Sequence, residues 1–182
     1  MDSICILKPK VTREEALAAL DCRGMTHLLW RVTLGRLRRI AQVFVPFRVY
    51  QVNVENAGRV STHFFGLDAV SGDLDLYDFW RPPLPDEVVL VATRNHPEPC
   101  LDHEKARAVV LEKVRRSLFL AGAFRLRHVE ISVHGVVSEL HVPYWVGFYG
   151  SDKLVRLRII DALRHRPEGA KLRHLLSAWL AA

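Results

Sequence analysis

The densest group of potential metal ligands is the segment HPEPCLDHE, which places His96, Cys100, His103 and Glu104 within nine residues. Imidazole and thiolate are ordinary zinc ligands. A structural zinc site pairs its ligands, however, and no second pair at zinc-finger spacing follows. A linker running into a helix start accounts for the same residues, with Asp102 as the N-cap. The reading is therefore of no metal, with His96, Cys100 and His103 the candidates if one is held, and of no cofactor. Neither a glycine-rich phosphate loop nor a G-x-S-x-G elbow is present. The acidic tract LDAVSGDLDLYDF (Asp68, Asp73, Asp75, Asp78) lacks the spacing of a calcium loop and reads as a strand with one polar face. His63, His128, His134 and His141 fall in expected strands and carry no proposed base.

Two carboxylates stand in matched places, Asp68 in GLDAV and Asp161 in IIDAL. Each ends a strand before a turn, where an aspartate accepts backbone N–H bonds, so a structural role is expected for both. Aromatic residues concentrate around VFVPFRVYQVNV (43–54) and LHVPYWVGFYG (140–150). Most read as sheet core and cross-strand pairs. Trp145 and Tyr149 share a strand parity and are the two expected on an accessible face. Beside them Arg156 and Arg158 offer positive charge, and these four form the expected binding surface.

The elements that must position these groups follow a repeated order. ICIL (4–7) and VVLVA (88–92) open each half as short strands. TREEALAAL has a capping box, Thr12 with Glu15, while DHEKARAVVLEKVRRSLFL begins at Asp102 and aligns Ala106, Val109, Val110, Val114 and Leu118 on one face. Glycines at 24, 35 and 122 are expected to interrupt or end these helices. Antiparallel meanders come next, with a turn at NAG (56–58) in the first half and at GSDK (150–153) in the second. A C-terminal helix carries Leu172, Leu175, Leu176 and Trp179 as its apolar stripe. The fold class expected is α+β: two similar β-α-β-meander units, each a helix on a curved antiparallel sheet, plus that last helix. The boundaries drawn are 1–80 for the first repeat, 81–87 for a proline-rich linker, and 88–182 for the second repeat with its helix. Pro46 and Pro143 fall in equivalent settings and, lacking an N–H, belong at a sheet edge, a bulge or between strands.

A chain of 182 residues can bury a substantial core, and no apolar run reaches the roughly 20 residues of a membrane span. The N-terminus lacks the pattern of a secretory signal, and three scattered cysteines suit a reducing compartment, so a cytoplasmic protein without membrane contact is expected. The net charge of +6 is uneven. Residues 1–100 balance 12 basic against 12 acidic side chains, whereas residues 101–182 hold 14 against 8. A basic half admits an acidic partner such as nucleic acid.

The first half resembles the PepSY-type domain, a small α+β module found singly or in tandem. VTREEALAAL, RVYQVNVENAGRV and LDAVSGDLDLY carry the resemblance over residues 11–77, with a weaker echo over 101–165. The matching positions are Tyr50, Asp68, Ala69 and Gly72. The resemblance implies a helix packed on a curved sheet, no catalytic residues, and binding of another protein. The function expected is a non-enzymatic binding or regulatory module that engages a protein partner, or another copy of itself, through its sheet surface or edge. The alternatives are nucleic-acid binding by the basic second half and a small metalloprotein built on His96, Cys100 and His103.

Overall fold

In the computed structural model, residues 2–21, 35–120, 129–151 and 154–182 are described. The chain is a mixed α+β protein. Its described residues form eight strands: β1 (Asp2–Leu7), β2 (Leu37–Asn56), β3 (Arg59–Asp68), β4 (Tyr77–Phe79), β5 (Val88–Thr93), β6 (Val129–Ser151), β7 (Leu154–Asp161) and β8 (Arg166–Pro167). They also form three α-helices: α1 (Arg13–Asp21), α2 (His103–Leu120) and α3 (Ala170–Ala181). Strand neighbours run β4-β3-β2-β6-β1-β5, with β7 paired to β6 and β8 to β7.

Local sequence signals account for where the elements begin and turn. Thr12 and Glu15 close the expected capping box: the Thr12 N–H donates to Glu15 Oε2 at 2.8 Å, and the Glu15 N–H donates to Thr12 Oγ1 at 3.2 Å. The Asp102 carboxylate accepts the N–H groups of Glu104 and Lys105 at 2.9 and 3.2 Å, starting α2. Backbone hydrogen bonding holds both carboxyls below the usual carboxylate range, through the Thr12 N–H for Glu15 and chiefly the Lys105 N–H for Asp102. Between β2 and β3 the two-residue turn Ala57–Gly58 has φ of 51° and 76°. Two left-handed residues in succession match the twist of a tight hairpin, and glycine takes the second place without strain.

Compact units do not follow the halves of the sequence. One unit comprises Met1–Val45, Val89–Pro97 and Val142–Ala182; the other comprises Pro46–Val88 and Glu98–His141. This corrects the expected division at residues 81–87. The physical reason lies in which apolar faces meet.

In the second unit, Ala106, Val110 and Val114 of α2 pack on Tyr50, Val52, Val54 and Leu67 of the β2–β3 hairpin and on Val133 of β6. The helix residues recur at i, i+4 and i+8, and the β2 residues alternate, so each element offers one apolar face. Every fully buried Val or Leu contributes about 1.5–3 kcal/mol. In the first unit, Val11, Ala16 and Leu20 at α1 pack on Trp145, Ile160 and Ala162 from the β6–β7 hairpin and the turn after it. Each hairpin is thus covered by the helix from the opposite half of the sequence. On β7, α3 adds the buried side chains Leu172, Leu175 and Leu176.

β2 and β6 run unbroken through Pro46 and Pro143, so of the three settings expected for these prolines a place between two strands does not apply. Each lies where its strand passes from one unit into the other. Their carbonyls have matching roles: Pro46 O accepts the Ala69 N–H at 2.8 Å, and Pro143 O accepts the Ala162 N–H at 3.1 Å. The carbonyl of Ala69 then takes the Leu101 N–H at 2.9 Å, ahead of α2. Ala162 takes those of Lys10 and Val11 at 2.8 and 2.9 Å, ahead of α1.

Candidate functional site

The matched aspartates do what their setting demands. Asp68 is completely buried, and its Oδ1 accepts the N–H groups of Ser71 and Gly72 at 2.8 and 2.9 Å. Its Oδ2 accepts the Leu74 N–H at 2.9 Å, and the Ser71 hydroxyl donates to Oδ1 at 3.3 Å. One carboxylate therefore organises the whole 71–74 turn. The equally buried Asp161 accepts the N–H groups of Leu163 and Arg164 at 2.7 and 3.0 Å. Both act as turn supports: both oxygens of Asp68, and Oδ1 of Asp161, accept backbone N–H groups.

Trp145 and Tyr149 are not surface residues. They are 9 % and 5 % exposed, with Trp145 Nε1–H donating to the Val11 carbonyl at 2.9 Å and Tyr149 Oη–H to the Leu20 carbonyl at 2.6 Å. Their shared parity correctly puts them on one face of β6. That face is the one α1 covers, which strand parity cannot reveal. Arg156 is exposed opposite Tyr149 in the β6–β7 register, and Arg158, opposite Gly147, is half-buried. The four expected binding residues therefore split between core and surface.

The candidate metal ligands separate as well. His96 is buried, while Cys100 is exposed, makes no disulfide and points its thiol at the Glu98 carbonyl at 3.4 Å. His103 Nε2 lies 3.9 Å from Glu139 Oε1. Among the described residues no three His, Cys, Asp or Glu side chains gather into a metal-binding group. His63 and His134 lie on β3 and β6: His63 stacks on Phe65 with ring centroids 5.8 Å apart, and His134 Nε2 accepts the Asn53 side-chain amide at 3.0 Å. His141 is on β6, and His128 lies outside the described residues, as do Gly24 and Gly122. Tyr50 sits in the second unit's core, where burial pushes its phenol pKa up against the opposing charge of Arg48. Arg48 is also buried, donating to Glu139 Oε1 at 3.0 Å and to the Leu101 carbonyl.

The feature best built for recognition is one that residue types alone did not single out. β4 ends the strand order and pairs with β3 by Phe64↔Phe79, Phe65↔Asp78 and Gly66↔Tyr77. Tyr77 anchors it by edge contact with Phe47, ring centroids 5.8 Å apart, and the chain then leaves β4 through Trp80. This indole is 85 % exposed. The Arg81 guanidinium lies 4.6 Å over its ring centroid. Both terminal nitrogens of Arg81 hold the Glu87 carboxylate, at 2.8 and 2.9 Å, and one also donates to the Pro82 carbonyl at 3.1 Å. Glu87 further accepts the Leu84 N–H at 2.9 Å, and a 3-10 turn at Pro85–Glu87 completes the loop.

The stretch expected as a linker is therefore a braced loop. Three prolines and a bidentate ion pair restrict it, and it presents Trp80 with Leu84, itself 45 % exposed. A tryptophan and arginine ahead of prolines, with a glutamate six residues on, was the available sequence signal. No helix among the described residues is long and apolar enough to cross a membrane. Comparison of the chain with protein-family models, curated proteins and solved structures found no match.

Proposed function

We propose that the chain is a non-enzymatic binding or regulatory module that engages a protein partner through the β4 edge and the 80–87 loop, with Trp80 as the anchor. The observation that carries this reading is an indole 85 % exposed on a loop already held by Arg81 and Glu87. Exposing so large an apolar ring gains nothing for folding, whereas burying it in a partner removes that surface from water. A pre-ordered loop loses little conformational entropy on docking, which favours affinity. Tryptophan and arginine are both enriched among the residues that dominate protein interfaces.

The finer architecture belongs to the same proposal. The chain is two copies of one α+β unit that have exchanged helices within a single polypeptide. Support comes from the parallel bonds at Pro46, Ala69 and Leu101 and at Pro143, Ala162 and Val11. The paired turn aspartates Asp68 and Asp161 add to it. The resemblance of residues 11–77 to the PepSY-type domain agrees with a tandem module that binds other proteins.

Parallel capture with immobilised wild type, Trp80→Ala and Arg156→Glu proteins tests the binding reading. Trp80→Ala should weaken retention of the captured protein about 30-fold, the effect of removing a hot spot worth about 2 kcal/mol. Its thermal midpoint should stay close to wild type, because the indole is exposed. Arg156→Glu should retain the same protein. Equal retention by Trp80→Ala and wild type would overturn the proposal.

A further inference from the structure

The 80–87 loop, which lies wholly within the second unit, carries Pro82-Pro83-Leu84-Pro85 directly after Trp80 and Arg81. Pyrrolidine rings fix φ at about −65° in three of these four residues. A residue that precedes proline is driven to extended ψ, and Arg81, Pro82 and Leu84 all precede prolines. Leu84, whose φ no ring constrains, sits at φ −82° and ψ 157°, within the scatter of the polyproline II helix. That helix repeats every three residues, so Pro82 and Pro85 fall on one edge and Pro83 and Leu84 on the other two.

We infer that this segment is a preformed polyproline II ligand, and that its partner is a protein domain with an aromatic-lined groove of the WW type. The inference rests on the reading of the 80–87 loop as a partner surface, and it names the kind of partner. Leu84 is 45 % exposed and Pro85 is exposed, while Pro82 and Pro83 are half-buried, so the Leu84–Pro85 end faces solvent. The four residues hold a single backbone N–H, that of Leu84, and Glu87 accepts it at 2.9 Å. A groove that covers them therefore meets apolar side chains and has no backbone donor to satisfy. The segment is also clamped from outside, because both terminal nitrogens of Arg81 hold Glu87 across it. Held this way, it loses little conformational entropy on docking.

The same ion pair discriminates between grooves. An SH3-type groove that reads arginine through an acidic rim would have to break two Arg81–Glu87 hydrogen bonds of 2.8 and 2.9 Å. The guanidinium is further held over the Trp80 ring. What faces a partner is the apolar series Trp80, Leu84 and Pro85, which suits a groove that takes rings between aromatic side chains. Asp86, exposed just beyond Pro85, matches a basic rim at that end. Strand addition fits this part of the molecule less well, since β4 has three residues and offers few ladder bonds.

The full-length protein is titrated with a purified WW-type domain that takes Pro-Pro-Leu-Pro peptides, and separately with an SH3-type domain that reads arginine. Saturable binding to the WW-type domain is expected, tighter than to the SH3-type domain. Leu84→Ala and Pro85→Ala should each weaken it about tenfold or more, with thermal midpoints close to wild type because both side chains are exposed. Glu87→Gln keeps every proline but removes the clamp, and should weaken binding severalfold. Absence of saturable binding to the WW-type domain up to about 1 mM would overturn the inference. So would affinity unchanged in both Leu84→Ala and Pro85→Ala, or equal or tighter binding to the SH3-type domain. The same variants in the capture experiment separate this inference from the Trp80 reading. Loss of the captured protein by Trp80→Ala alone, with Leu84→Ala and Pro85→Ala retaining it, overturns the polyproline partner and leaves Trp80 as the anchor. Retention by all three overturns both.

Discussion

Asp68→Ala is expected to destabilise the protein by about 4 kcal/mol and to lower its thermal midpoint by roughly 8–16 °C. The carboxylate is fully buried and accepts three backbone N–H groups, two of them, from Gly72 and Leu74, buried as well. Removing it orphans those donors where water cannot replace the lost acceptor, at about 1–3 kcal/mol each. Asp68→Asn should recover only part of the loss, because whichever oxygen becomes an NH₂ then faces an amide donor. Asp161→Ala orphans two donors in a less buried turn and should cost less. Chemical denaturation of the set orders the effects as Asp68→Ala, Asp68→Asn, Asp161→Ala. A change at Asp68 within 0.5 kcal/mol, the range typical of surface positions, would refute the turn role.

Trp145→Ala should be comparably severe, about 3–5 kcal/mol, the usual result of deleting a buried tryptophan. Its ring fills the space among Val11, Ala16, Leu20 and Ile160, and its N–H satisfies the Val11 carbonyl at the entry to α1. Trp145→Phe keeps most of the packing and loses that hydrogen bond, so about 1–2 kcal/mol is expected. Urea unfolding followed by circular dichroism distinguishes the two changes. Had Trp145 formed an accessible binding face, neither substitution would matter to stability and both would weaken partner capture.

Much of the local structure was legible because its causes are local. Thr12 with Glu15, Asp102 ahead of α2, the Asn56–Gly58 turn and the two turn aspartates each depend on residues no more than six apart. Helix and strand faces were legible from periodicity, including the α2 row Ala106, Val110 and Val114. What covers a face was not, because an apolar stripe carries no address for its partner. This is why Trp145 and Tyr149 were placed at the surface, and why α1 and α2 were each assigned to the hairpin of their own half. The braced 80–87 loop was hidden for a related reason. Proline-rich composition describes both a loose linker and a stiff loop, and only the Arg81–Glu87 pairing distinguishes them.

Each compact unit is built from both halves of the sequence, so neither half is expected to fold by itself. Alone, residues 1–80 lack α2, which covers Tyr50, Val52, Val54 and Leu67. Residues 88–182 alone lack α1, which covers Trp145 and Ile160. The most direct measurement is denaturant unfolding of these two fragments, separately and mixed in equal amounts, followed by circular dichroism. The prediction is no cooperative transition in either fragment alone and a cooperative transition in the mixture. A fragment that unfolds cooperatively by itself, with the mixture adding no stability, would contradict the account.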